Sequence, residues 1–290
     1  MLRIAKPVQE MMMKMTPVQP GIRCSEHTVQ TEPGVQIRTE VYEPQEKEGE
    51  LPCILYLHGG GFGYKAAPYH RQLACIYAER LACRVVMPDY RLLPEHPFPA
   101  ALRDATAVYR WINENAGELG IDTEAVAVAG DSAGGALAAC LCNLYEQEHL
   151  QRPCLQMLFY PVTDADMNTP SMKRYPDTPL WNSVNDAKMW EMYLQGTSGH
   201  DRSIASPMQN MLPSVIPQTY IEVAEIDCLH DEGVAYAEKL RTAGAQVLLT
   251  ETKGTIHGYD NAMDSSITKD CVEKRIQVLY KSFRNTEIRS

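Results

Sequence analysis

The chain has 290 residues, of which 44% are apolar and 22% are charged. This balance supports one large folded domain, or a domain with a small appendage, and excludes a chain that is disordered throughout. Twenty-seven basic and 37 acidic residues give a formal net charge of −10, which disfavours a nucleic-acid partner. No apolar run is as long as a membrane span, which needs about 18 residues.

The N-terminal segment, residues 1–24, is interrupted by charged residues and lacks the apolar stretch of a signal peptide. Its methionine-rich run, 11–15, predicts either an adaptable apolar helix face over a pocket or a mobile leader. Nine cysteines, an odd number without a CxxC pair, argue against both a disulfide framework and a zinc site. We therefore expect a cytoplasmic protein that binds no metal.

From residue 27 onwards, strand-like and helix-like segments alternate. Residues 27–41 contain a Pro-Gly turn and predict an antiparallel hairpin that opens the sheet. Later apolar runs are rich in Val, Ile, Leu and Tyr, as expected for parallel strands covered on both faces, so the sequence predicts an α/β fold with a mainly parallel sheet. The predicted strands are 51–57, 84–87, 125–129, 155–160, 219–223 and 247–251, and the predicted helices are about 68–82, 99–116, 133–149, 231–243 and 266–284.

Two regions depart from this alternation. One is the N-terminal segment, and the other is 162–214, which is rich in polar, Pro and Met residues and contains a helix-like piece at 183–194. An insertion of this length between core strands usually forms a lid or another functional element. The predicted organisation is a catalytic domain made of 25–161 and 215–290, with 1–24 and 162–214 as a cap region.

The sequence GDSAG at 130–134 lies between a predicted strand and an Ala- and Leu-rich helix, which is the context of the G-x-S-x-G nucleophile elbow. A sharp strand-to-helix turn strains the serine backbone, and small neighbours remove the clashes. The Ser132 hydroxyl then projects above the sheet at the electropositive N-terminus of the helix. A tight turn without catalytic function is the alternative. The preceding Asp131 is expected to bond neighbouring backbone amides.

A second motif, HGGGF at 58–62, directly follows a predicted strand. Consecutive glycines bring backbone amides close to a substrate, where they stabilise the negative charge that acyl transfer develops on a carbonyl oxygen. We expect the amides of Gly60, Gly61 and Ala133 to form this oxyanion hole. His58 is expected to brace the loop and to take no part in proton transfer.

A serine nucleophile needs a base that is itself oriented by a carboxylate, in the chain order serine, acid, histidine. His257 lies between glycines in the loop after the last predicted strand, whereas His200 and His230 are expected at the solvated surface. Asp227 lies past the end of the preceding strand, where a loop begins. Glu225 is the competing acid, but its position on the strand favours Asp227.

Together these motifs resemble the hormone-sensitive-lipase-like branch of the α/β-hydrolases, the bacterial family IV esterases. The similarity spans about 25–285 and includes DYRLLPEHPFPA at 89–100 and DCLHDEG at 227–233. The resemblance implies an α/β-hydrolase fold, a carboxylic-ester hydrolase without a cofactor, a cap built from the N-terminus and the insertion after the sixth strand, and often a homodimer. Carried over by motif, Ser132 is the nucleophile, Asp227 the acid and His257 the base, with Gly60, Gly61 and Ala133 as the oxyanion hole.

Three positions depart from the family pattern. Cys228 stands where proline is usual, His230 where arginine is common, and Leu93 where alanine is common. None belongs to the triad, so they bear on the stability of the acid loop and not on the reaction. In the Pro-rich loop 89–100, Arg91 is expected to pin the HGGGF loop.

The substrate is expected to be a small ester in a pocket lined by aromatic and Met side chains. A closed aromatic cap favours acyl groups of about two to six carbons. An amidase or arylformamidase, or a deacetylase of acetylated sugars, would share the triad, and a non-catalytic small-molecule receptor on the same fold is a further alternative. Phe62 and Tyr160 are expected to contact substrate, whereas Tyr64, Trp181, Met189 and Trp190 are expected mainly to pack.

Overall fold

The computed structural model describes residues 2–47 and 49–284, in which eight strands form one sheet. The strands are β1 (Ile22–Glu32), β2 (Val35–Pro44), β3 (Leu51–Leu57), β4 (Arg84–Pro88), β5 (Ile121–Asp131), β6 (Leu155–Phe159), β7 (Gln218–Ile226) and β8 (Val247–Ile256). Their order is β1-β2-β4-β3-β5-β6-β7-β8. The β1–β2 and β2–β4 pairs are antiparallel and all others are parallel, which confirms the predicted hairpin and mainly parallel sheet.

The helices connect these strands, as the alternation of segments predicts. They are α1 (Leu2–Met15), α2 (Pro68–Leu81), α3 (Ala100–Glu114), α4 (Ala116–Leu119), α5 (Ser132–Leu144), α6 (Pro170–Arg174), α7 (Ser183–Tyr193), α8 (Gly199–Ala205), α9 (His230–Thr242) and α10 (Ser266–Ser282), with a 3₁₀ turn at Tyr259–Asn261. The helix predicted over 133–149 ends at Leu144, and residues 145–149 continue as turns. Within these turns the Glu146 carboxylate accepts a hydrogen bond from the Ser214 amide at 2.8 Å.

Both faces of the sheet are covered, which explains strands that are apolar throughout. Successive side chains of a strand point to opposite faces. On β3, Cys53, Leu55 and Leu57 pack into the core shared with α3, α5 and α9, whereas Ile54 and Tyr56 pack into the core shared with α2 and α10. Full burial of each large apolar side chain stabilises the fold by about 1.5–3 kcal/mol, so this double covering fixes the sheet between the helices.

Helix α5 lies directly against the sheet and is buried along nearly its whole length. Its small residues permit this close approach. A Cβ atom added to Gly134 would lie only 2.0 Å from the Leu57 carbonyl oxygen, so no larger residue fits there. The first turn of α5 is thereby held at the carboxyl edge of β3 and β5, where Ser132 begins the helix.

The N-terminal segment forms a helix rather than a leader without structure. The guanidinium of Arg71 on α2 donates to the Met13 carbonyl oxygen at 2.7 Å, and Met13 is buried. Its neighbours Met11, Met12 and Met15 remain 57%, 46% and 74% exposed, so most of the apolar run faces outward.

The insertion between β6 and β7 contains α6, α7 and α8. Its assignment with residues 1–24 to a cap region, separate from a catalytic domain, stays a prediction. Across residues 2–47 and 49–284, no helix has the length and apolar character needed to cross a membrane.

Candidate active site

Three side chains from three loops meet at the carboxyl edge of the sheet. Ser132 follows β5, Asp227 follows β7 and His257 follows β8. The Ser132 Oγ atom lies 2.8 Å from His257 Nε2, and His257 Nδ1 lies 2.8 Å from Asp227 Oδ2. All three residues are buried. In the neutral imidazole, Nδ1–H donates to the carboxylate and Nε2 accepts from the serine hydroxyl, the arrangement that a general base requires.

The serine is held in a strained conformation. Its φ angle is +54°, a left-handed backbone value that a residue other than glycine rarely adopts. Such strain persists only where the surrounding structure enforces it, and here β5 and the buried start of α5 do so. The strand-to-helix turn predicted from the sequence is therefore present, with the hydroxyl pointing at the imidazole.

The acid loop explains why Asp227, and not Glu225, reaches the imidazole. Asp227 Oδ1 accepts from the Leu229 amide at 3.0 Å, which fixes the carboxylate. Glu225 turns to the other side, where its carboxylate accepts from the Gly254 amide at 2.7 Å. His230 lies 2.8 Å from Asp231, and His200 is exposed on α8, so neither rival histidine belongs to the site.

The glycine loop presents amides toward the serine. Gly60 and Gly61 line the cavity that contains Ser132. Within the part of the chain that the structure describes, neither of their amides donates to another protein group. The Ala133 amide belongs to the first turn of α5, where helix N–H groups have no partner within the helix. These three amides are available to an anionic oxygen.

His58 braces this loop, as the sequence predicts. Its Nδ1 lies 2.8 Å from the Gly59 carbonyl oxygen, and its ring stacks on Tyr90 with centroids 4.4 Å apart. Burial, followed by the nearby His70, lowers the pKa of His58 to about 4. A neutral side chain turned toward the loop backbone has a structural role.

A buried carboxylate anchors the glycine loop from below. Asp131 accepts from the Gly59 amide at 2.9 Å, which agrees with its predicted bonding to backbone amides. It also accepts from Tyr69 Oη at 2.8 Å and Tyr56 Oη at 3.2 Å, and it lies 3.1 Å from His70 Nε2. The Ala67 amide donates to His70 Nδ1 at 2.8 Å, which holds the ring beside the carboxylate.

Asp131 is ionised although it is buried. Desolvation alone would raise its pKa, but His70 and the Tyr69 hydroxyl outweigh that effect and lower the pKa to about 2. Sequence reasoning did not identify Tyr69 and His70 as partners of Asp131. Their position at the start of a helix just after the glycine motif was the available signal.

Two interpretations of the sequence need correction. Arg91 does not pin the glycine loop, because its guanidinium donates to Asp104 at 2.8 Å and to Glu32 at 2.5 Å, away from that loop. The Tyr90 hydroxyl instead donates to the His58 carbonyl oxygen at 2.6 Å. Phe62 does not line the cavity, since its ring is buried and stacks on Tyr193 with centroids 3.8 Å apart.

The cavity above Ser132 has a volume of about 640 Å³. Tyr160 lines it as expected, with its ring 5.0 Å from that of His257 and its hydroxyl donating to Asp260 at 2.7 Å. Trp181, which was expected mainly to pack, also lines it. Helix α7 contributes Asn185, Lys188, Met189 and Met192 to its lining.

A buried ion network supports the base loop. Arg275 on α10 is fully buried between Glu222 on β7 at 2.5 Å and Asp260 at 3.0 Å. Its guanidinium also lies 3.9 Å from the centre of the Phe159 ring. Because Asp260 in turn accepts from Tyr160, the network ties α10 to the wall of the cavity.

Two further buried carboxyls form no salt bridge with any residue among 2–47 and 49–284. Asp186 on α7 and Glu232 on α9 are both fully buried, and one oxygen of each has no hydrogen-bond partner. Burial raises the pKa of Asp186 to about 7. Burial, followed by the proximity of Asp186, also raises the pKa of Glu232. Neither residue was recognised from the sequence.

Among residues 2–47 and 49–284, no group of three His, Cys, Asp or Glu side chains is placed to hold a metal ion. The groups that the site brings together are a hydroxyl, an imidazole, a carboxylate and backbone amides. The serine contacts an imidazole and lies beside the glycine-loop amides, at the carboxyl edge of a mainly parallel sheet that is covered on both faces. This arrangement is that of the α/β hydrolases.

Comparison with known proteins gives the same class. Residues 54–261 match the family model described as the alpha/beta hydrolase fold, and the chain belongs to this family, in its hormone-sensitive-lipase-like branch. The resemblance predicted from the sequence is thereby confirmed.

Individual relatives are esterases by name. Carboxylesterase NlhH of Mycobacterium tuberculosis is 38% identical over 247 residues, which cover 83% of this chain and 77% of the relative. Ethyl acetate hydrolase of Pseudomonas putida is 35% identical over 238 residues, covering 81% and 75%. The crystal structure of esterase LipW from Mycobacterium marinum superposes with a TM-score of 0.89 at 29% identity, covering 97% of this chain and 90% of that chain.

Proposed function

We propose that this protein is a carboxylesterase that cleaves short-chain esters through a covalent acyl-enzyme. The observation that carries the proposal is the continuous hydrogen-bonded series from Ser132 through His257 to Asp227, with separations of 2.8 Å at both steps. The names of the relatives support ester hydrolysis as the activity.

Acylation begins when Ser132 Oγ attacks the ester carbonyl carbon. The hydroxyl proton moves to His257 Nε2, and the carbonyl electron pair moves onto the oxygen. The amides of Gly60, Gly61 and Ala133 stabilise that oxyanion. Asp227 keeps the imidazole in the required tautomer and stabilises the imidazolium. The tetrahedral intermediate then collapses as the ester C–O bond breaks and His257 donates its proton to the leaving alcohol.

Deacylation repeats the sequence with water as nucleophile. Water attacks the acyl carbon, and His257 takes one of its protons. As the bond to Ser132 Oγ breaks, the imidazolium returns the proton to the serine. The products are a carboxylic acid and the regenerated enzyme, so no cofactor is needed to balance the reaction.

The aromatic residues that line the cavity support the proposed preference for small acyl groups. The floor of the cavity carries Ser132 and His257, and the rings of Tyr160 and Trp181 stand against it. Aromatic walls this close to the serine favour acyl groups of about two to six carbons. The name of one relative, ethyl acetate hydrolase, agrees with a small substrate.

A series of p-nitrophenyl esters from acetate to laurate tests the proposal. We expect kcat/KM to be greatest among the short esters, whereas a maximum at laurate would contradict the size preference. Ser132→Ala and His257→Gln should each lower kcat by about 10³-fold or more. The matched variants Glu225→Gln and His230→Gln alter the rival residues and should retain near wild-type turnover.

The same assay separates the alternative substrates and the alternative function. Faster cleavage of an aryl amide or of an acetylated sugar than of any simple ester would favour the amidase or the deacetylase. Turnover of none of them, together with no fluorophosphonate adduct at Ser132, would favour a small-molecule receptor.

The cysteines bear on the compartment. All nine are unpaired thiols. Free thiols in this number suit a reducing compartment, which supports the cytoplasm as the site of action. A homodimer stays a prediction, and size-exclusion chromatography with light scattering would check it.

A further inference from the structure

The indole of Trp181 stands over the glycine loop and the base. A Cβ atom added to Gly61 would lie 2.6 Å from the Cη2 atom of the indole. The indole and imidazole centroids of Trp181 and His257 are 6.0 Å apart. The indole therefore bounds the space above Ser132 on the side of the oxyanion hole.

A strained turn directs this ring into the cavity. Leu180 has a φ angle of +65°, and the Trp181 amide donates to the Pro179 carbonyl oxygen at 2.8 Å, which together describe a γ-turn of the rare, strained form. The Thr178 hydroxyl donates to the Trp181 carbonyl oxygen at 2.7 Å and closes the loop. Strain of this kind persists only where other contacts hold it.

Asp186 supplies such a contact. The Trp181 Nε1–H donates to Asp186 Oδ1 at 3.1 Å. Asp186 is fully buried on the inward face of α7, among Met189, Trp190 and Tyr193. Its Oδ2 atom has no hydrogen-bond partner in the described part of the chain. Burying a carboxyl group is costly unless it is hydrogen-bonded. The Trp181 indole supplies that hydrogen bond, and the Trp190 indole lies beside the same carboxyl.

We propose that Asp186 is a positioning residue, which holds the Trp181 indole across the cavity above Gly61 and His257, and that the held indole sets the upper size of the ester. The proposal rests on the proposed function. It assigns the size limit to a pair within the insertion between β6 and β7, neither member of which takes part in the proton transfers.

The physical consequence of losing this anchor is specific. Without the hydrogen bond, the strained turn can relax and the indole can leave its position over the glycine loop. The cavity then widens beside the oxyanion hole. Bulky acyl groups gain space, whereas small ones lose the wall that confines them beside Ser132. The two classes of ester should therefore respond in opposite directions, which a general loss of stability would not produce.

The test measures kcat and KM for p-nitrophenyl acetate and for p-nitrophenyl 2-phenylpropionate. The quantity of interest is the ratio of kcat/KM for the bulky ester to that for acetate. Trp181→Ala should raise this ratio by about 10-fold or more, the range that differences in pocket size produce. Asp186→Ala should raise it in the same direction, mainly by lowering KM for the bulky ester.

Conservative and control variants separate positioning from folding. In Asp186→Asn the amide oxygen can still accept from the indole, so the ratio should stay near the wild-type value. Asp177→Asn alters an exposed carboxylate of the same insertion and should also leave it unchanged. When Trp181 is already alanine, adding Asp186→Ala should have no further effect on the ratio, because the residue acts through the indole.

Two results would overturn the inference: a wild-type ratio in Asp186→Ala, or an equal change in the Trp181→Ala background. If Asp186→Ala fails to fold, Asp186→Leu takes its place, since it keeps the volume of the side chain but cannot accept the indole hydrogen bond. A raised ratio would then support the anchor, and a wild-type ratio would refute it. If the wild type cleaves neither ester, the proposed function fails. The size limit can then be tested separately, by the ratio of the rates at which a bulky and a small fluorophosphonate label Ser132.

Discussion

Replacing Asp131 with asparagine should loosen the glycine loop without altering any member of the proposed triad. The carboxylate accepts from Gly59, Tyr56 and Tyr69 and lies within 3.1 Å of His70. An asparagine has one acceptor oxygen, and its NH₂ group would face donors. The variant therefore loses the charge that holds the Gly59 amide next to Gly60 and Gly61, the proposed oxyanion donors.

The size of the effect follows from ionisation. The folded pKa of Asp131 is about 2. An unfolded aspartate has a pKa of about 3.9, so the difference corresponds to about 2–3 kcal/mol of the free energy of unfolding. Because the folded pKa is depressed, this stability is present above about pH 4 and is lost as the pH falls toward 2. Displacement of the loop should also lower kcat by about 10-fold, less than the loss of a whole oxyanion donor.

Urea denaturation and p-nitrophenyl acetate turnover at pH 7 would measure both effects. Asp270→Asn, at an exposed position on α10, is the matched control and should change neither quantity. Wild-type stability and kcat in Asp131→Asn would refute the assignment of Asp131 as the anchor of the loop. A loss of stability that persisted undiminished as the pH approached 2 would refute its ionised state.

Three further substitutions test the surrounding structure. Gly134→Ala places a Cβ atom 2.0 Å from the Leu57 carbonyl oxygen and should abolish soluble expression or sharply lower Tm, whereas an unchanged Tm would contradict the packing of α5. Arg275→Met leaves two buried carboxylates unpaired and should lower the free energy of unfolding, measured in urea, by about 3–5 kcal/mol. The control Arg80→Met removes an exposed ion pair and should lower it by at most about 1 kcal/mol. Equal losses in the two variants would contradict the buried network. Burial raises the pKa of Glu232 in the folded protein above the unfolded value of about 4.3, so the wild type loses stability as the pH rises from that value toward the folded one. Glu232→Gln should therefore be more stable than the wild type at pH 8 but not at pH 4. An equal difference in stability at both pH values would contradict burial of the neutral acid.

The fold was largely predictable because its determinants are local. Strands such as β3 are apolar on both faces, and the glycines of the nucleophile elbow mark a turn that few other residues permit. The order of serine, acid and histidine along the chain then placed all three at one sheet edge, since parallel strands end there together.

Contacts between distant segments were harder to predict. The direction of the Phe62 ring depends on its positive φ angle and on Tyr193, more than 100 residues away along the chain. Arg91 is charged and near the glycine motif in sequence, but its partners lie on α3 and β1. A motif names the residues of a loop without stating which of them face the cavity.

Signals for the missed residues were nonetheless present. Asp186 shares a helical stripe with Met189, Trp190 and Tyr193, and a carboxyl among such residues indicates a buried, hydrogen-bonded group. Glu222 interrupts an otherwise apolar strand in the same way, and its buried partner is Arg275. Polar residues in apolar patterns were the informative exceptions.

The most direct test of the catalytic assignment is covalent labelling with a fluorophosphonate, followed by peptide mapping. The account predicts one adduct, on Ser132, which is absent from Ser132→Ala and forms far more slowly in His257→Gln. An adduct on another residue, or labelling of Ser132 that is equally fast without the imidazole, would contradict it.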